Sequence, residues 1–130
     1  MLKFGDIFRW KEREYVFLAA TSEILYAALI LDQTESMSLV RLYDKRVSSN
    51  RNEFLKQTLY IFVSLSTPEF KDRIAHLHKT QHELLPGIEV MSTVLSVKDK
   101  LEIKKEILNP KSSLPSELKQ KIDLIDITYK

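Results

Sequence analysis

Ile24-Leu25-Tyr26-Ala27-Ala28-Leu29-Ile30-Leu31 is an unbroken apolar run that stops at Asp32. An apolar run of this length, bounded by polar residues, reads as a strand buried on both faces. Such a strand needs sheet neighbours and a cover on each side. Upstream, Tyr15-Val16-Phe17-Leu18-Ala19-Ala20 is rich in aromatic and β-branched residues, as strands are. Thr21-Ser22-Glu23 turns it into the apolar run. Phe4-Gly5-Asp6-Ile7-Phe8-Arg9-Trp10 makes an earlier strand, with Phe4, Phe8 and Trp10 on one face by period two. Lys11-Glu12-Arg13-Glu14 is the charged turn between them, and the three segments form a meander. Taken together, Tyr15 to Leu31 has the hydropathy of a short membrane span. Glu23 sits in its middle, however, and a carboxylate at bilayer depth costs roughly 3 kcal/mol, so two strands and a polar turn fit better.

Downstream the chain alternates again. Asp32 to Asn52 is polar, with Leu39-Val40-Arg41-Leu42-Tyr43 as a short edge strand or helical turn. Leu59-Tyr60-Ile61-Phe62-Val63-Ser64-Leu65 is the second strongly apolar strand, expected beside Ile24–Leu31. Thr67, Pro68 and Glu69 supply a cap, a first-turn proline and a first-turn acid. Phe70, Ile74 and Leu77 then recur at helical spacing, predicting a short mid-chain helix to about Lys79. After Leu84-Leu85-Pro86-Gly87 comes a strand over Ile88–Val97, a half-exposed strand over Leu101–Leu108, and a C-terminal helix from Pro115 carrying Leu118, Ile122 and Ile125. Short strands with few helices predict a mainly β chain, a small β-barrel or strongly bent sheet, in one domain over 1–130.

Composition narrows the chemistry. The 130 residues carry a net charge of only +2, so no global field points to nucleic acid. With no cysteine there is neither a disulfide framework nor a thiolate metal site, which suits a cytoplasmic location. Only Gly5 and Gly87 are glycines, so no phosphate loop of the usual kind exists. His76, His78 and His82 invite a metal reading, but no cysteine, HExxH spacing or acidic pair supports it; they are expected as exposed helix-end histidines, with no metal and no cofactor.

Three groups remain as candidate sites. Ser66 and Thr67 pair two hydroxyls at the end of a buried strand and the start of a helix, where free N–H groups bind phosphate; Thr67 equally suits a plain helix cap. Trp10 with Arg9, Lys11 and Arg13 sets an aromatic ring among cations, which can stack a base and hold a backbone, or be a core ring beside a solvated turn. Arg41, Lys45, Arg46, Arg51 and Lys56 stand against Asp44 and Glu53 alone, a basic segment suited to anion or RNA contact or to solvent.

In order along the chain, the Phe4-Gly5-Asp6-Ile7 opening, the apolar hairpin, the strand ending in Ser66-Thr67, Pro86-Gly87, Val97-Lys98-Asp99-Lys100 and Leu114-Pro115-Ser116-Glu117-Leu118 together resemble the MazF/PemK family. The resemblance implies a compact SH3-like barrel, usually a homodimer. It implies a toxin of a toxin–antitoxin pair, a metal-independent endoribonuclease acting on single-stranded RNA and neutralised by a small antitoxin protein. In that frame Ser66 or Thr67 polarises the scissile phosphate, and Arg9 or the Arg41–Arg46 segment supplies the cation. Trp10, Lys11, Arg13, Tyr26, Arg41, Lys45 and Arg46 contact RNA. Two family features are replaced: Tyr26 and Ala27 stand where an Arg-Pro pair is typical, and Ser96 where an arginine is typical. The alternative expectation is a catalytically silent barrel that binds protein or nucleic acid.

Overall fold

The computed structural model describes residues 2–22, 24–38, 62–80, 87–110 and 114–127. The edge strand expected near Leu39, the basic segment with Arg41, Lys45 and Arg46, and His82 lie outside the described residues. Six strands form one antiparallel sheet: β1 (Asp6–Trp10), β2 (Arg13–Ala20), β3 (Leu25–Leu31), β4 (Phe62–Ser64), β5 (Ile74–Thr80) and β6 (Glu89–Val94). Their order is β4-β5-β3-β2-β1-β6. Residues 33–38 form a helix, α1; α2 spans Val97–Leu108 and α3 spans Ser116–Asp123.

β3 lies inside the sheet, and all its residues but Leu29 are buried. Tyr26, Ala28 and Ile30 point into the main core, which α2 fills with Ile103 and Ile107 and α3 with Leu118 and Ile122. Leu25 and Ala27 point the other way, into a smaller cluster with Phe8, Trp10, Tyr15, Phe17, Leu2 and Ile88. The β1–β2–β3 meander is as the sequence indicates. Among the described residues no helix is long and apolar enough to cross a membrane.

Four local expectations are corrected. β4 does not lie beside β3; it pairs with β5, which occupies the intervening place. The reason is the second correction: Ile74–Thr80 is a strand, not part of a helix. The Thr67-Pro68-Glu69 start signal is realised as a single 3-10 turn over Pro68–Phe70. Asp72 then takes a left-handed φ of 68° and ends it. Third, Leu101–Leu108 belongs to α2. Its Leu101-Glu102-Ile103 alternation mimics a strand, but the buried pair Ile103 and Ile107 keeps helical spacing, and Ser96 caps the helix by accepting from Asp99 N at 3.2 Å.

Fourth, Phe4 sits in the main core while Phe8 and Trp10 lie on the opposite face. The switch is made by the turn Lys3–Asp6, where Asp6 N donates to Lys3 O at 2.9 Å and Gly5 has a φ of +89°. Such a turn needs positive φ at its third position, which glycine reaches without cost. A Cβ at Gly5 would also fall 2.5 Å from Lys100 Cε, a flexible atom that can move aside. Gly5→Ala is therefore expected to lower stability by about 1–2 kcal/mol, mostly from backbone strain; urea unfolding checks it, and an unchanged midpoint contradicts this reading of the turn.

Candidate functional site

Two groups of side chains stand out. The first is built around Asp99, on the first turn of α2 and only 1% exposed. Its carboxylate accepts from Ser66 N at 2.9 and 3.0 Å, Ser66 Oγ at 2.9 Å, Thr67 N at 2.8 Å and Thr67 Oγ1 at 2.5 Å. Thr67 Oγ1 in turn accepts from Ser96 N at 2.9 Å. In an ordinary capping box the acid three residues into the helix would bond back to the cap N–H. Here Thr67 takes that N–H and the acid reaches across to the strand end instead.

The hydroxyl pair expected to cradle a phosphate is thus a cradle for an anion, and the chain fills it with its own carboxylate. Burial alone would push the Asp99 carboxyl up. The hydrogen bonds from Thr67 and Ser66 outweigh it and hold the group below its ordinary range. Ser66 and Thr67 follow β4, and Ser96 follows β6, so this cluster ties together the two outermost strands of the sheet. A contact between Glu69 and Thr93 lies alongside. The segments that follow the two outermost strands thus meet through side chains, while among the described residues no ladder joins β4 to β6 and the sheet is open.

No hydrogen bond or ion pair among the described residues links Arg9 to Ser66 or Thr67. Arg9 lies between Phe8 and Trp10 and so projects from the opposite face of β1. It is exposed and stands in register with Glu14 and Glu89. Tyr26, expected to contact a base, is 1% exposed in the main core. Its even-numbered place on β3 turns the ring toward the helices, so it packs rather than presents itself.

The second group lies on the other face. One row of side chains crosses the whole sheet through directly opposed residues: Val90, Phe8, Tyr15, Leu29, His76 and Phe62. Phe8 and Tyr15 stack with centroids 5.3 Å apart, and Phe62 and His76 stack at 5.7 Å. The ends of the row, Val90 and Phe62, are exposed. His76 is buried, with Nε2 2.8 Å from Ser36 Oγ. It belongs to a strand, which corrects the expectation of an exposed helix-end histidine. No three His, Cys, Asp or Glu side chains gather as a metal site among the described residues.

Beside the Phe8–Tyr15 stack, Trp10 stands opposite Arg13 at the tip of the β1–β2 hairpin. The two residues of the turn, Lys11 and Glu12, have φ of 50° and 65°. Two-residue turns of this kind favour Asn-Gly because both positions need positive φ. A lysine and a glutamate there are strained. Lys11 Nζ lies over the Trp10 ring, 4.5 Å from its centroid. Arg13 Nη1 donates to Glu35 Oε2 at 2.5 Å, and that partner raises the guanidinium pKa above its ordinary value. The sequence pointed to Trp10, Lys11 and Arg13 as a group, and the fold brings them to one corner. It did not point to Asp99, Phe8 or Tyr15 as parts of either site. A Ser-x-x-Asp spacing at 96–99 was the available signal for Asp99.

The chain matches no protein-family model, no curated protein and no solved structure.

Proposed function

We propose that the chain is the toxin component of a toxin–antitoxin pair, a MazF/PemK-like domain with an SH3-type barrel, and that it takes single-stranded RNA at the Trp10–Arg13 corner. The observation that carries this is the hairpin tip, where Lys11 lies over Trp10 and Arg13 stands opposite it. A base stacks on an aromatic face while the cations neutralise flanking phosphates, and Trp10 is only half-buried. The Asp99 cluster, which brings the segment after β4 to the start of the helix that follows β6, supports the barrel reading. A small antitoxin protein and a second copy of the chain are the partners this reading expects.

In this reading Ser66 and Thr67 are structural, because both hydroxyls are committed to Asp99. The chain then binds RNA without cutting it, as the catalytically silent barrel that is the alternative to an RNA-cutting toxin. A second reading, the metal-independent endoribonuclease, is favoured by Thr67 Oγ1 donating to an ionised carboxylate, an arrangement that polarises a hydroxyl. It also needs a cation beside the scissile phosphate. Long single-stranded RNA incubated with excess protein and EDTA separates the two: intact RNA that migrates as a complex supports the first, and fragments support the second.

Lys11→Gly tests the corner itself. Relieving left-handed strain leaves the protein as stable or up to about 1 kcal/mol more stable. RNA affinity falls, and the slope of log K against log salt drops by roughly 0.7, as for one lost contact on a single strand. Unchanged affinity and slope contradict the assignment.

A further inference from the structure

We propose that Glu35 is an internal competitor for the RNA-binding corner, its carboxylate holding Arg13 until an RNA phosphate displaces it. This rests on the RNA reading above and assigns a regulator to the same site.

The argument starts at the entry to α1. Glu35 N donates to Asp32 Oδ1 at 2.7 Å, and Asp32 N donates to Glu35 Oε1 at 3.4 Å. Ser36 N donates to Asp32 O at 2.9 Å, so Asp32 is the cap of α1 and Glu35 its reciprocal acid. The capping box orients the Glu35 side chain by a long contact through one oxygen. The other, Oε2, is left to accept from Arg13. Most exposed ion pairs must freeze two long side chains to form. Here one partner is already held by the helix start.

Arg13 is the first residue of β2, opposite Trp10 and adjacent to the strained turn. Its side chain is still 51% exposed, so a phosphate can reach it. A guanidinium offers its planar fork to carboxylate and phosphate alike, and the two compete for the same donors. While Glu35 is bound, Arg13 neutralises it and attracts RNA little. When a phosphate takes the fork, Glu35 is left with its capping role. The competition sets the affinity of the corner without any change in the sheet.

A double-mutant cycle measures this with a labelled oligouridylate in fluorescence titrations at several salt concentrations, using wild type, Glu35→Gln, Arg13→Ala and the double variant. Glutamine retains the cap interaction and removes the charge. Glu35→Gln is expected to tighten binding about two- to five-fold, the scale of an exposed pair, and to steepen the salt slope. In the Arg13→Ala background the same change is expected to do nothing. An equal gain in both backgrounds overturns the competitor, since it would show a general charge effect. So does no gain in either. Absence of binding by all four proteins overturns the RNA reading together with it, whereas wild-type binding with additive effects overturns the competitor alone.

Discussion

Asp99→Ala is expected to lower the unfolding free energy by about 3–5 kcal/mol. The substitution leaves two backbone N–H groups and two hydroxyls without the acceptor they converge on. It also unties the segment after β4 from the helix that follows β6. Burial works against a carboxylate at this place, so its retention as an anion depends wholly on those donors. The consequence for pH follows from the direction of the shift. The folded pKa lies below the unfolded value of about 3.9. The stabilisation is therefore complete above that value and is lost as pH falls through the folded pKa. Urea midpoints for wild type should fall steeply in that acid window, and those of Asp99→Asn should fall less. A variant within about 1 kcal/mol of wild type at neutral pH would mean that the cluster does not hold the segments after β4 and β6 together.

Tyr26→Ala is expected to cost about 3–5 kcal/mol, as for other large aromatic truncations in a packed core. The ring is enclosed between β3 and the helices, where the main core gathers Ile103, Ile107, Leu118 and Ile122. Tyr26→Phe preserves that volume and should bind RNA as wild type does. The pair of variants separates packing from recognition. An alanine variant of near-normal stability with lost RNA affinity would reverse the assignment and restore Tyr26 to the binding surface.

The centre of the fold was legible because β3 is apolar at every position, which suits burial on both faces. The hairpin before it was legible from the aromatic and β-branched residues of Tyr15–Ala20 and the charged turn ahead of them. What misled the reading was local signal without tertiary consequence. Thr67-Pro68-Glu69 carries good helix-start chemistry, yet Thr67 gives its hydroxyl to Asp99 and the helix stops after one turn. β5 was hidden because His76, between the core residues Ala75 and Leu77, is buried as well, so the segment shows no clear alternation and nothing in it excludes a helix. α2 was hidden by three alternating residues at its middle. At the site, Trp10, Lys11 and Arg13 were found by their clustering in sequence. The partners Asp99 for Ser66 and Glu35 for Arg13 lie 33 and 22 residues away, and no local pattern joins them.

The most direct measurement uses the fact that Trp10 is the only tryptophan in the chain. Its emission is followed while oligouridylate is added at low and at moderate salt. Contact at the hairpin corner predicts saturable quenching, with a midpoint that moves to higher RNA concentration as salt rises and further still in Lys11→Gly. Emission that stays constant while the RNA binds, or RNA that does not bind at all, would contradict it.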